Sequence, residues 1–434
     1  MRHSTDTLIV GAGQAGLSLS YHLTRAGHEH AVLERGRIGE RWHSERWDSL
    51  TLLTPGWLSR LDGSEPHPDP DGFLARADFV AYLDRYARSF GAQVHKHVTV
   101  TSLTRRGHRF HADTSAGPWR ARNVVIATGD SAEPRIPAAA ATAPPELAQL
   151  HTTRYRNPAA LPDGGVLVVG AGPSGLQIAA ELRREGREVV LAVGRHARVP
   201  RRYRDRDIWH WLDAIGDLER TIDEVRDPEA SKRAPSVALS GANGGEQLDL
   251  TVLHRLGVTV AGRLETFDTG QAFFANDLQP AIDDSERRLL RLLDRIDAHI
   301  DRTHEGRWPH PSDRPPPVRL PTGPASVDLR AYGISTVVWA TGYRREYPWL
   351  RVPVLEGAGE IVHRHGITSV SGLYVLGLKF QRRRASHFIG GVGADAAWIA
   401  DRIAGTPGRQ AASFSRSRRA ATRSCLSNPS PNFA

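Results

Sequence analysis

The 434-residue sequence predicts an α/β protein in which two βαβ units each build a parallel sheet, the second inserted into the chain of the first. Three observations carry this. LIVGAGQAGL at 8–17 reads as a buried strand, a glycine turn and the opening of a helix; LVVGAGPSGL at 167–176 repeats it; and the strand-then-Ala-Thr-Gly pattern of 124–129 recurs at 334–343. With 40% hydrophobic residues at this length, the chain exceeds what one core usually holds, so more than one domain is expected.

The first unit runs from TLIVGAGQAGLSLSYHLTRAG into a second strand, HAVLER, an alternation that makes the sheet parallel. RNVVIATGD at 122–130 adds a buried strand, and the Pro/Ala-rich stretch 132–145 reads as a linker. From Gly165, VLVVGAGPSGLQIAAELRREGREVVLAVGR opens the new unit: Leu176, Ile178, Ala179 and Leu182 face its sheet, and Gly186 ends the helix. Residues 200–330 are less regular. Within them, Leu289, Leu292, Leu293, Ile296 and Ile300 of SERRLLRLLDRIDAHIDR fall near i, i+3, i+4, i+7 spacing and make a core-facing helix, a substrate lid being the alternative. The Pro-rich RWPHPSDRPPPVRLPTGP follows. ISTVVWATGY at 334–343 is expected to return the chain to its first half, before GLYVLGL and the glycine turn and helix of GGVGADAAWIADRIAG. The expected domains are 1–158 with 334–404, and 159–333, followed by a basic tail, 405–434.

Net charge is +9, yet only three of the 57 basic residues are lysine and the acids number 48. The tail holds five arginines and no acid, so it supplies +5 of the +9, and a nearly balanced body argues against a nucleic-acid partner. The tail reads as solvated disorder, with a role on polyanions or acidic lipid as the alternative. One cysteine, Cys425, excludes a disulfide scaffold, cysteine metal sites and any thiol chemistry that needs a pair; no metal is expected. The N-terminus enters a strand without a leader, and no stretch approaches the ~18 apolar residues of a membrane span. A soluble, cytoplasmic protein is expected, away from membranes.

The two glycine turns carry the chemistry. Gly11 permits the tight turn, Gly13 lets backbone approach a pyrophosphate, and Gly16 lets helix and strand pack closely, while the helix start at Gln14 and Ala15 offers unpaired N–H groups. Glu34, at the end of the next strand, suits ribose hydroxyls and repels a 2′-phosphate. Gly170, Gly172 and Gly175, with Pro173 and Ser174 at the helix start, repeat the device, but the strand after them ends in Arg195, followed closely by His196, Arg198, Arg201 and Arg202. A guanidinium there suits a 2′-phosphate. Opposite preferences imply one resident dinucleotide and one that comes and goes, and FAD with NADPH is the economical pairing.

On these residues the chain resembles the flavin-containing monooxygenases with two dinucleotide-binding domains, over roughly 5–404, and among them the bacterial branch often labelled as cation-transport flavoproteins. That resemblance implies two Rossmann-like domains, the NADPH domain inserted into a split FAD domain. GERWHSERWDSLTLLTP at 39–55 is similar to the segment that passes along the flavin, which with Glu34 implies cofactor contacts for Arg35, Arg41, Trp42 and Thr54. Trp42 and Trp47 are expected to pack the flavin edge. Thr128 and Gly129, and Thr341 and Gly342, resemble the interdomain connections, and the glycine turn before Asp395 resembles a helix start that approaches the flavin; the resemblance implies cofactor contacts for all five residues. HTTRYRNP at 151–158 resembles the second half of the family fingerprint; its first half is absent, with Pro145 and Leu147 in its place, and Tyr155 argues for heteroatom oxygenation over Baeyer–Villiger insertion. His151 is either a structural linker residue or part of domain movement.

The implied reaction uses NADPH and dioxygen and transfers one oxygen from a flavin C4a-hydroperoxide to a nitrogen or sulfur of a small molecule. Where the family often has an asparagine, alignment puts Leu53, with the hydroxyl of Thr54 next to it as the candidate catalytic group and a nicotinamide amide as the alternative source of the hydrogen bond to that hydroperoxide. That departure keeps open an NADPH oxidase or reductase without oxygenation, and Baeyer–Villiger chemistry. A non-catalytic nucleotide sensor acting through the tail is the third class. QRRRASH at 381–387 suits an acidic substrate or the NADPH phosphates, or is a solvated loop, and a homodimer is the candidate assembly.

Overall fold

The structure is a computed structural model that describes residues 3–304, 314–357 and 359–405. The tail beyond Gly405 and part of the Pro-rich loop lie outside the described residues. The elements that position the site begin with β1 (His3–Val10), α1 (Gln14–Arg25), β2 (His30–Leu33), β3 (Val94–His95), β4 (Val100–Arg106), β5 (Arg109–Thr114) and β6 (Trp119–Ile126). They continue with β7 (Ala148–His151), β8 (Gly165–Val169), α2 (Pro173–Arg184), β9 (Val189–Ala192), β10 (Thr259–Ala261), α3 (Leu278–Thr303), β11 (Ile334–Trp339), β12 (Leu373–Val375) and α4 (Val392–Ile403).

The first sheet has the order β3-β2-β1-β6-β5-β4, with β12 against β6. Its β1, β2, β3, β6 and β12 pairings are parallel, and β4, β5 and β6 form an antiparallel meander. The second sheet, β10-β9-β8-β11-β7, is parallel throughout. Its β8 and β9 are buried at every residue, which is why both read as unbroken apolar runs. In each sheet the glycine turn leaves the strand at which the order reverses, where an open α/β sheet forms its crevice.

The strand at 334–339 does not return the chain to the first half. As β11 it lies between β8 and β7, and the chain re-enters the first sheet only at β12. Its Ala-Thr-Gly is therefore the counterpart of 127–129 in the other sheet. A Cβ on Gly11 would stand 2.6 Å from the Ala127 carbonyl oxygen, and one on Gly170 would stand 2.5 Å from that of Ala340. Each glycine turn thus packs against the small residue that ends its neighbouring strand, and either sheet accepts the same run.

Leu19 and Leu23 of α1 and Ala396 and Ile399 of α4 share the core on one face of the first sheet. In α3, Leu289, Leu293, Ile296 and Ile300 are buried with Tyr203, Trp209 and Trp211, and Leu292 is partly buried. Its stripe is committed to a core, which removes the lid alternative. The halves meet again where Glu133–Pro134 pairs antiparallel with Tyr343–Arg344, one strand from each connecting stretch.

Candidate functional site

Two cavities open beside the glycine turns. The first, about 380 Å³, is lined by Gly11, Gly13, Gln14, Ala15, Glu34, Arg35, Arg41, Trp42, Thr128 and Gly129. The second, about 450 Å³, is lined by Trp42, Trp47, Leu53, Thr54, Pro173 and Ser174 among others. Gln14, Trp42, Arg46 and His387 line both, so the cavities adjoin, and the start of α1 and the start of α2 reach the same second cavity.

The first turn fits a dinucleotide. Gly11 has φ +107°, and a Cβ on Gly16 would stand 1.9 Å from the Gly11 carbonyl oxygen, so both must be glycine for the strand to turn into the helix. A Cβ on Gly13 would meet nothing within 4 Å. No side chain caps α1 and its first turn carries no acid, so its leading N–H groups face open space, the arrangement that binds phosphate. Glu34 is buried, accepting from Ala12 N at 2.8 Å and Gly36 N at 3.0 Å, with lone pairs left on both oxygens. Glu45 takes Arg35 on one oxygen and Arg41 on the other, each at 3.0 Å, and so fixes two cations on the wall. Trp42 stands edge-on to Phe79 at 4.8 Å, with the Arg46 guanidinium 5.6 Å above its ring.

The second turn repeats the geometry: Gly170 has φ +113°, a Cβ on Gly175 would stand 1.8 Å from the Gly170 carbonyl oxygen, and one on Gly172 would meet nothing within 4 Å. Again no side chain caps the helix. Of the arginines behind β9, Arg198 is buried against Asp249 at 3.0 Å and Glu286 at 2.7 Å, and Arg201 pairs with Asp207 while stacking 4.1 Å from the Phe73 ring. Arg195 is exposed and has no ion pair among the described residues, although it lines neither cavity. His196 is buried, and burial lowers its pKa to about 4, which keeps the ring neutral.

The Thr54 hydroxyl lies 2.7 Å from Ser59 Oγ on the second cavity's wall. The Leu53 carbonyl accepts from Arg201 and from Trp209 Nε1, each at 2.9 Å, which pins the 39–55 segment against the second half. His387, at the junction, is held neutral by burial and by the charges of Lys379 and Arg384, with its pKa near 3, and its Nδ1 has no partner among the described residues.

Besides Arg195, three expected cofactor residues line neither cavity and are committed to other contacts. Asp395 is 1% exposed and lines neither cavity; Arg383 Nε lies 3.4 Å and Arg382 Nε 3.7 Å from its carboxylate, so it ties the 381–386 loop to the start of α4. Thr341 donates to the Arg135 carbonyl, and the Gly342 carbonyl accepts from His151 Nε2 at 3.0 Å. They belong to the connection between the halves because their strand, β11, lies in the second sheet. His151 is buried and holds that connection. Tyr155 is fully buried and donates to Glu181 Oε2 at 2.7 Å, fastening the 151–158 stretch to α2.

Arg46, Trp209, Lys379, Phe380 and Phe388 are also wall residues, and no motif in the sequence marks them as such. The one signal was the basic run at 381–387, and it divides: Arg382 and Arg383 turn inward to Asp395, while Arg384 and His387 face the second cavity. Among the described residues there is no cluster of three or more His, Cys, Asp or Glu that could hold a metal ion, and no helix long and apolar enough to cross a membrane.

Residues 8–224 match the family described as pyridine nucleotide-disulphide oxidoreductase. A CzcO-like oxidoreductase of Geobacillus kaustophilus, itself uncharacterized, is 32% identical over 406 residues, 93% of this chain and 99% of that protein. The indole-3-pyruvate monooxygenase YUCCA1 of Oryza sativa subsp. japonica is 30% identical over 200 residues, 43% of this chain and 47% of that protein. The structure of a flavin-containing monooxygenase from Stenotrophomonas maltophilia superposes with TM-score 0.65 at 22% identity, covering 93% of this chain and 99% of that one, a likeness of fold.

Proposed function

The chain belongs to the pyridine nucleotide-disulphide oxidoreductase family, with the CzcO-like oxidoreductases as full-length relatives, and from that premise we propose that it is an FAD- and NADPH-dependent monooxygenase acting on a nitrogen or sulfur of a small molecule. One observation carries this: two glycine turns, each ending at an uncapped helix start with open space at its middle glycine, reach adjoining cavities that share Gln14, Trp42, Arg46 and His387. The fold of a flavin-containing monooxygenase and the partial match to a plant monooxygenase support it. Reduction through an internal dithiol, which the family's description would allow, needs two cysteines, and the sequence has one.

The residues fit FAD at the first turn, held by the start of α1, Glu34, Arg35 and Arg41, and NADPH at the second, held by the start of α2 with Arg195 for its 2′-phosphate. When bound, the flavin takes hydride from NADPH and passes the electrons to dioxygen. Substrate, O₂, NADPH and a proton then give oxygenated product, NADP⁺ and water.

The protein's part is to position and to dry. Trp42 where the cavities meet, and Trp47 and Leu53 on the wall of the second, present apolar surface that excludes water from the reacting centre. Thr54, oriented by Ser59, offers a hydroxyl on that wall. His387, neutral and unpaired at Nδ1, adds a group able to donate or accept without bringing charge. Thr54→Val should leave NADPH consumption in place and raise the share of electrons lost as peroxide.

The rival reading, an NADPH oxidase or reductase, is favoured by Leu53 and by the commitment of Thr54 to Ser59. Measuring product and peroxide together across amines, thioethers and ketones separates the two. One oxygenated amine or thioether per NADPH supports the monooxygenase; stoichiometric peroxide with every compound refutes it, and lactone or ester from the ketones moves it to Baeyer–Villiger chemistry.

A further inference from the structure

The second cavity has a composition that oxygenation of an amine or thioether does not require. Among the described residues its wall carries Arg46, Arg220, Lys379 and Arg384 and no aspartate or glutamate. Much of the remainder is flat and apolar, with Trp209, Phe380 and Phe388 near those cations and Phe388 edge-on to Trp209 at 5.3 Å.

The cations are only partly satisfied. Lys379 is half-buried; its Nζ donates to the Ala234 carbonyl at 2.5 Å, leaving two ammonium protons without a hydrogen-bond partner among the described residues. Burial lowers its pKa, Asp130 opposes that, and Arg384 adds to it, so the two cations feel each other. The Asp130 carboxylate meets the Lys379 backbone N–H and Arg345 rather than the ammonium. Arg384 reaches Asp217 at 3.2 Å, but Asp217 also takes Arg295 at 2.9 Å, so one carboxylate serves two guanidiniums. Arg384 N donates to the Arg220 carbonyl at 3.0 Å, which sets the two residues side by side, and Arg220 has no ion pair among the described residues. Both Lys379 and Arg384 act on His387, so the positive end of the cavity lies at the junction with the first one.

We propose that the second cavity takes a small organic acid, its carboxylate met by Lys379 and Arg384 and its flat apolar body lying along Trp209, Phe380 and Phe388. The inference rests on the proposed function only in treating this cavity as the substrate's. An excess of one charge in a low-dielectric wall concentrates the opposite ion, and a carboxylate completes hydrogen bonds that a neutral ligand leaves unmade. The same anion chemistry is offered by the NADPH phosphates. Those have their own donors at the start of α2, whereas these cations sit on 220 and 379–384, beside His387.

The test is calorimetric titration of the FAD-loaded, oxidised enzyme with 2-naphthylacetate, its uncharged amide and 2-naphthylethylamine, with and without saturating NADP⁺. The acid should bind about tenfold or more tighter than the amide, with the amine weakest, and NADP⁺ should leave that order intact. Lys379→Met and Arg384→Met should bring the acid to the affinity of the amide, with NADP⁺ affinity moving less than about twofold. Equal affinities for acid and amide in the unaltered enzyme overturn the proposal without recourse to a variant. So does loss of the preference when NADP⁺ is present, or variants that weaken NADP⁺ instead, since either assigns the cations to the nucleotide's phosphates. Because binding is read without turnover, an enzyme that selects the acid yet releases only peroxide would sink the monooxygenase and leave this proposal standing.

Discussion

Gly172→Ala should separate the second dinucleotide site from the fold. Gly172 has φ −78° and ψ 178°, a conformation any residue adopts, and an added Cβ meets nothing within 4 Å. Alanine there gains about 0.4–1 kcal/mol from a less flexible unfolded chain. It loses a comparable amount because glycine is the better helix cap, so the net effect on stability should stay within about 1 kcal/mol. The methyl group instead fills the space through which backbone N–H groups at the start of α2 reach a pyrophosphate. Losing one such charge-assisted hydrogen bond costs about 1.5–3 kcal/mol, which is roughly 10- to 150-fold in the dissociation constant. Anaerobic stopped-flow reduction over a range of NADPH concentrations reads that constant, and flavin absorbance of the purified protein reads FAD content. Gly172→Ala should weaken NADPH and leave FAD content unchanged. Gly13→Ala, equally open at its Cβ, should do the reverse. In Gly175→Ala the Cβ would stand 1.8 Å from the Gly170 carbonyl oxygen, so that variant should fail to fold. If Gly172→Ala binds NADPH as the unaltered enzyme does, or loses FAD along with it, the division of labour between the turns is wrong.

Two further outcomes are expected. Arg195→Ala should lower the preference for NADPH over NADH by about tenfold or more with stability unchanged, because Arg195 is exposed and unpaired among the described residues; equal ratios of kcat/KM in the two proteins would reassign the 2′-phosphate. His196 stays neutral in the fold down to about pH 4, whereas the unfolded chain protonates it near 6.5. Between those values the unfolded state holds the extra proton, so stability falls as pH drops, by about 3 kcal/mol over the whole window. Urea unfolding of the unaltered protein and of His196→Leu from pH 7 to pH 5 should show a steeper loss in the former; parallel slopes would mean that His196 is charged in the fold.

The expected fold and the described structure differ where a local pattern has two equivalent homes. VVIATG and VVWATG each end in the small residue that a glycine turn packs against, so sequence alone does not tell which sheet the later one completes. Closure against Gly165–Val169 and Ala148–His151 places Ile334–Trp339 in the second sheet and moves Thr341 and Gly342 from the cofactor to the connection. Its place after a glycine turn predicts Asp395 beside the flavin. Its side chain turned the other way because Arg382 and Arg383, a dozen residues earlier, fold back over the same helix start. The wall residues Lys379, Arg384 and His387 come from one stretch, and Trp209 and Arg220 from another with no motif at all.

By itself the sequence determined what is decided within a few residues of chain. These are the positive-φ turns at Gly11 and Gly170, the open glycines at 13 and 172, the uncapped helix starts after them, and the contrast between Glu34 and Arg195 just beyond the next strands, which end at Leu33 and Ala192. Backbone sterics and local hydrogen bonding leave such a segment one conformation, wherever it sits. The tertiary structure alone decided which strand borders each turn, which arginines are spent on buried carboxylates and which remain for a ligand, and that the two cavities adjoin at Gln14, Trp42, Arg46 and His387. Those depend on segments up to a few hundred residues apart competing for the same partners, and only the packing of the whole chain settles that competition.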